Sequence, residues 1–244
     1  MSDIKGQDSL YAQPFEAITG FVFDQSVVNV FRDMISRSVP GYSTLLSMIP
    51  VLARQYVQDN SRCYDLGCSL GAVTLALRHA IEATPVDIVA VDNSPAMIEQ
   101  CRQYLKQDTA HLPVELICAD IRDVEIQQAS LVVMNFTLQF IAPEHRQALL
   151  DRIYQGLKPG GVLLVSEKVG FDAAEQEWMT ELHHAFKKAN GYSELEISQK
   201  RSALDNVLIP EPVELHQQRF EQAGFRQSMQ WFQCFNFVSM LAIK

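Results

Sequence analysis

From about residue 23 onward the apolar positions follow two alternating rhythms. Val27, Val30, Phe31, Met34 and Ile35 recur at helical spacing, Pro40-Gly41 breaks the run, and Leu45, Leu46, Ile49, Leu52 and Tyr56 resume it. Two helices are therefore predicted ahead of the first strand. Short apolar runs then alternate with amphipathic stretches, which places strands near 62–66, 87–92, 114–118, 130–135 and 162–166. Ile88-Val89-Ala90-Val91 and Leu131-Val132-Val133-Met134 are apolar without interruption, as strands covered on both faces must be. The pattern predicts an α/β, Rossmann-like fold with a mostly parallel central sheet.

Beyond Lys168 the rhythm becomes helical over 173–189, 193–206 and 212–223, and two β-type runs, 230–237 and 238–243, close the chain. One of these late strands is expected to be antiparallel. Residues 1–22 are polar and weakly patterned and read as an arm, mobile or lying along an edge. Residues 23–244 contain neither a linker nor a repeat and read as a single domain.

Composition narrows the function classes. A formal charge of −9 and a pI of about 5.1 oppose general attraction to phosphate backbones, so direct nucleic-acid binding is not expected. Five cysteines, an odd number without paired C-x-x-C spacing, suit reduced thiols rather than a disulfide frame or a zinc site; no metal is expected. No apolar run is long enough to span a membrane and no basic-then-apolar leader opens the chain, so the expected location is the cytoplasm.

The first strand runs into Asp65-Leu66-Gly67-Cys68-Ser69-Leu70-Gly71 and then into a helical stretch. Glycines at a strand-to-helix junction allow a tight turn and let a ligand approach the backbone closely, although a plain turn would use them too. Strand two ends at Asp92, where a carboxylate can accept from both hydroxyls of a ribose. Strand three leads to Asp120 and strand four ends at Asn135, so polar residues close successive apolar strands on the side of the glycine turn. This spacing indicates a nucleoside cofactor and leaves open whether it is a dinucleotide or a sulfonium nucleoside.

Local wording is more specific. D-L-G-C-S-L-G at 65–71, D-N-S-P-A-M-I at 92–98 and L-K-P-G-G at 157–161 resemble the successive motifs of class I S-adenosylmethionine-dependent methyltransferases. The resemblance implies Gly67, Cys68 and Ser69 along the methionine portion, Asp92 and Asn93 near the ribose, and Asp120 and Ile121 near the adenine. Ser69 departs from the usual glycine, which bears on the path of that loop.

R-S-V-P-G-Y at 37–42, N-F-T-L-Q-F at 135–140, N-G-Y-S-E-L-E-I-S-Q-K-R at 190–201 and W-F-Q-C-F-N-F at 231–237 lie outside the shared core. Together they resemble the carboxy-S-adenosyl-L-methionine synthase family from about Phe23 to the C-terminus. That resemblance implies a transferase that converts S-adenosylmethionine and prephenate to carboxy-S-adenosylmethionine and phenylpyruvate. It also implies a homodimer, and a functional link to a tRNA carboxymethyltransferase that uses the product on wobble uridine. Tyr42 matches a cofactor-contacting tyrosine and Asn135 a residue holding the amino-acid end. Arg201 matches an arginine that binds the new carboxylate, for which a planar guanidinium is suited.

Two alternatives share the cofactor motifs: a conventional methyltransferase, and a non-catalytic cofactor-binding subunit of a tRNA-modifying complex. His183-His184 are neighbours on a helix and point about 100° apart, which is poor geometry for a shared metal, so they are assigned no site. Lys187 and Lys188 are expected on a solvated face.

Overall fold

The structure is a computed structural model that describes residues 6–15 and 20–244. Two helices, α1 (Gln25–Ser38) and α2 (Tyr42–Tyr56), precede the alternating core of β1 (Ser61–Leu66), α3 (Ala72–Ala80), β2 (Val86–Asp92), α4 (Pro95–Gln107) and β3 (Val114–Cys118). The second half contains β4 (Ala129–Asn135), α5 (Pro143–Gly156), β5 (Leu157–Lys168), α6 (Ala173–Ala189), α7 (Glu194–Leu204), α8 (Val213–Ala223), β6 (Gln227–Cys234) and β7 (Phe237–Ile243).

The seven strands form one sheet in the order β3-β2-β1-β4-β5-β7-β6. The first five are parallel, β7 is antiparallel to β5, and β6 is antiparallel to β7. Of the two closing strands β7 therefore runs against the parallel set, as expected of one of them, while β6 runs with that set at the edge, and their turn falls at Phe235-Asn236 rather than at 237–238. Phe235 sits there at φ 51°. The apolar run from 237 to 243 is the buried strand, and the more polar 227–234 is the edge, which is why the boundary was blurred in the sequence.

Side chains on successive β4 residues enter opposite cores, as the period of two requires. Leu131 and Val133 pack with Leu45, Ile49 and Leu77 of α2 and α3, while Val132 and Met134 pack with Leu149, Ile153 and Phe220 of α5 and α8. Helix starts have recognisable chemistry. Asp24 caps α1 by accepting from the Ser26 and Val27 N–H groups, Ser94 caps α4 ahead of Pro95, and Ser193 with Glu196 forms a reciprocal capping box on α7.

The described part of the N-terminal arm is docked rather than free. The Gln199 side chain donates to the Tyr11 and Gln13 carbonyls at 2.9 and 2.8 Å and accepts from the Phe15 N–H at 2.8 Å. Asp8 is 2% exposed, in contact with Tyr192 and Lys200.

Candidate active site

The order in which strands are added reverses between the parallel neighbours β1 and β4, and ligands of doubly wound sheets bind outside the carboxyl ends of strands at such a switch point. A cavity of about 860 Å³ lies there. Gly67, Ser69, Asp92, Asn93, Asp120, Ile121 and Asn135 line it, so seven of the sequence-predicted residues converge on one space.

The loop after β1 has a reason for each unusual backbone angle. Gly67 has φ +87°, and a Cβ there would stand 2.2 Å from Thr137 Oγ1, so glycine is required both by conformation and by close approach. Ser69 adopts φ 51° without being glycine, and its N–H donates to Asp92 Oδ2 at 2.9 Å. The other Asp92 oxygen accepts from the Ser94 N–H at 2.9 Å. Burial pushes the Asp92 carboxyl up while those two donors oppose it. Each oxygen retains a lone pair that a ribose hydroxyl can use.

Asp120 is clamped by Arg122, whose Nη2 donates at 2.7 Å and whose backbone N–H donates at 2.8 Å; this pairing holds the carboxyl below its ordinary value. Asn135 Oδ1 is buried with no hydrogen-bond partner among the described residues. A buried amide oxygen without a partner is an unsatisfied acceptor, and this one belongs to a residue that lines the cavity. The glycine loop leaves room for close approach of a ligand to the backbone. Phe23 and Phe140, edge to face at 5.3 Å, give this end an apolar aromatic wall.

Three predicted residues lie off the cavity wall. Cys68 is buried, with its thiol against Cys101 behind the loop. Tyr42 packs on Phe136, centroids 6.3 Å apart, and Phe136 in turn lines the cavity; burial first and Asp65 second push the Tyr42 hydroxyl up to about 12. Arg201 is exposed on α7 and does not line the cavity, although its charge reaches Lys168 and His184 beside it.

A scan of family models matches a methyltransferase domain to residues 64–161. The carboxy-S-adenosyl-L-methionine synthase of Trichlorobacter lovleyi is 59% identical, with 98% of this chain and 99% of that protein aligned. The enzyme of the same name from Geobacter sp. strain M21 is 58% identical over 97% of this chain and 98% of its own length. The chain belongs to the carboxy-S-adenosyl-L-methionine synthase family. It is therefore an enzyme, a transferase on the class I methyltransferase fold.

Solved structures agree on the fold. Human N-acetylserotonin methyltransferase in complex with S-adenosylmethionine aligns at TM-score 0.59 with 18% identity, covering 90% of this chain and 55% of that one. The cyclopropane synthase of Mycobacterium tuberculosis aligns at 0.58 with 13% identity, covering 91% and 71%. Membership in this family together with the fold supports S-adenosylmethionine as the ligand of the crevice.

The far end of the cavity holds what sequence reasoning missed. Lys168 from the end of β5, His183 and Lys187 from α6, and Lys200 from α7 all line it. Lys187 is 8% exposed, which corrects its placement on a solvated face; only Lys188 is exposed there, paired with Glu194. His183 is also buried. Its Nε2 lies 2.8 Å from the Ser38 carbonyl, and burial with Lys187 and Lys168 nearby drives its pKa down to about 2. The ring is thus neutral and donates to that carbonyl through Nε2. Helical periodicity gave no sign of this, because His183 is covered by Ser38 of α1 and Phe237 of β7, which are distant in sequence.

Proposed function

We propose that the chain converts S-adenosylmethionine and prephenate to carboxy-S-adenosylmethionine and phenylpyruvate, supplying the donor for carboxymethylation of wobble uridine in tRNA. The observation that carries this reading is near-full-length identity of 59% to a protein named for that product. In the proposed roles, Asp92 and Asn93 hold the ribose, Asp120 and Ile121 meet the adenine, and Gly67, Cys68 and Ser69 run along the methionine portion. Asn135 and Tyr42 attend the amino-acid end, and Arg201 receives the new carboxylate. Because Arg201 is exposed on α7, a second copy of the chain packed against that helix is the proposed way for its guanidinium to close the site.

The chemistry balances without an external reagent. A proton leaves the acidified sulfonium methyl, the resulting carbon captures the carbon dioxide lost from prephenate, and the hydroxide expelled as the ring becomes aromatic takes the proton as water. The protein has to hold two substrates in register and exclude bulk solvent. A cavity of about 860 Å³ lies near the upper end for small-molecule sites and suits a nucleoside with a second, smaller reactant. The acidic chain total argues that tRNA is met by a separate enzyme and not by this one.

Mass spectrometry of the ligand released from freshly purified protein, followed by incubation with S-adenosylmethionine and prephenate, tests the reading. A species heavier than S-adenosylmethionine by one carboxyl group, formed only with prephenate, is expected. Methyl transfer to tRNA by this chain alone, or no product with prephenate, would overturn it.

A further inference from the structure

The cavity is electrically polarised along its length. Asp24, Asp92 and Asp120 line the end under α1, β2 and β3, whereas Lys168, Lys187 and Lys200 line the end formed by β5, α6 and α7. Lys200 is already satisfied: its ammonium lies 3.3 Å from Asp8 Oδ2 and 3.2 Å from Ser38 Oγ, and Asp8 also accepts from the Tyr192 hydroxyl. Among the described residues, neither Lys168 nor Lys187 has a carboxylate within 4.0 Å or a hydrogen-bond acceptor for its ammonium.

Two ammonium groups on the wall of one cavity, largely withdrawn from solvent and without anionic partners, are costly in a folded protein unless a ligand supplies the missing charge. Loss of hydration favours a partner that brings both negative charge and hydrogen-bond acceptors, and two cations on one wall suit two carboxylates on one molecule. We infer that Lys168 and Lys187 form the seat of a small organic dicarboxylate, the second substrate, beside the sulfonium end of the crevice.

This inference rests on the reaction proposed above, in which that substrate is prephenate. Placement supports it further. Lys168 ends β5 two residues past Ser166, which pairs with Asn135 at the end of β4, so this lysine lies next to the amino-acid end of the crevice and across the sheet from Asp120, with Lys187 of α6 lining the same cavity. His183, held neutral between the lysines and the Ser38 carbonyl, adds no competing charge. A dianion here would be drawn in by the cations and kept from the acidic nucleoside end.

Lys168→Met and Lys187→Met keep most of the side-chain volume and remove the charge. Kinetics with each substrate varied, and calorimetric titration of prephenate, malate and glutarate into protein preloaded with S-adenosylhomocysteine, which has no methyl to react, read the two ligands separately. Each variant is expected to raise KM and Kd for the dicarboxylate by about tenfold or more, with the affinity for S-adenosylhomocysteine held to within about twofold; Lys187→Arg should recover much of the loss. Retained nucleoside affinity shows that the variants are folded. Unchanged dicarboxylate binding, or equal weakening of the nucleoside, would overturn the assignment. If the unaltered enzyme fails to turn over prephenate, the proposed reaction fails; the lysine seat then stands or falls on whether any of the three dicarboxylates binds in a lysine-dependent way.

Discussion

Ser69 donates its backbone N–H to Asp92 Oδ2 at 2.9 Å, tying the turn after β1 to the end of β2. The serine occupies a left-handed conformation at φ 51°, and this hydrogen bond is one reason the residue holds it. Asp92 thus has two tasks, fixing the loop and presenting its remaining lone pairs to the cavity. Asp92→Ala is expected to weaken S-adenosylmethionine binding about tenfold or more by calorimetry, since a charged acceptor and a loop anchor go together. Ser69→Gly keeps the N–H and relieves the angle, so binding should change little.

Gly67 admits no side chain. Alanine there would meet Thr137 Oγ1 at 2.2 Å and would also carry φ +87°. Gly67→Ala should cost about 2–5 kcal/mol in denaturant unfolding, the sum of overpacking and left-handed strain. Thr137→Ala on that background should return only part, because the angle is untouched.

Lys187 trades stability for charge. Burial, then Lys200 and Lys168, push its ammonium down to about 7 from 10.5. Between those values the unfolded chain binds the extra proton, so this group's penalty is fully present below about pH 7 and fades as the pH rises toward 10.5. Lys187→Met without ligand should raise Tm by about 2–8 °C at pH 7. Differential scanning calorimetry should show that advantage shrinking toward pH 10; an advantage independent of pH would mean the gain comes from packing.

Glu211 is shared by two buried guanidinium groups. Arg219 donates to its two oxygens at 2.6 and 2.7 Å, and Arg146, fully buried, also donates to Oε2. Burial pushes the Glu211 carboxyl up, but the two arginines outweigh it and hold it below its ordinary value. The stability it contributes is therefore present above the ordinary glutamate range and lost as pH falls through the lowered value. Glu211→Gln, which leaves the buried guanidiniums under-neutralised, should destabilise by about 3–5 kcal/mol and flatten the acid limb of the unfolding curve.

The alternation of apolar runs and helical stretches determined the α/β architecture, the parallel core and the position of the crevice, because strands buried on both faces can be written only as uninterrupted apolar segments. The glycine turn, Asp92, Asp120 and Asn135 were legible for a related reason. They sit at the ends of those strands, and the carboxyl ends of a parallel sheet share one side by construction. Tertiary structure alone decided which side chains line the far wall. Lys168 is a strand-end residue like the others, but Lys187 and Lys200 look like ordinary helical lysines until the fold buries both, Lys200 against Ser38 of α1 and Asp8 of the arm. Burial of a helix face depends on what packs against it, and here the covering segments lie more than a hundred residues away in sequence. The same reason explains the docked arm: Gln199 takes its Tyr11 and Gln13 carbonyls and its Phe15 N–H, backbone interactions that leave no pattern in the arm's own residues, and Asp8, a side chain that anchors it, meets partners far away in sequence.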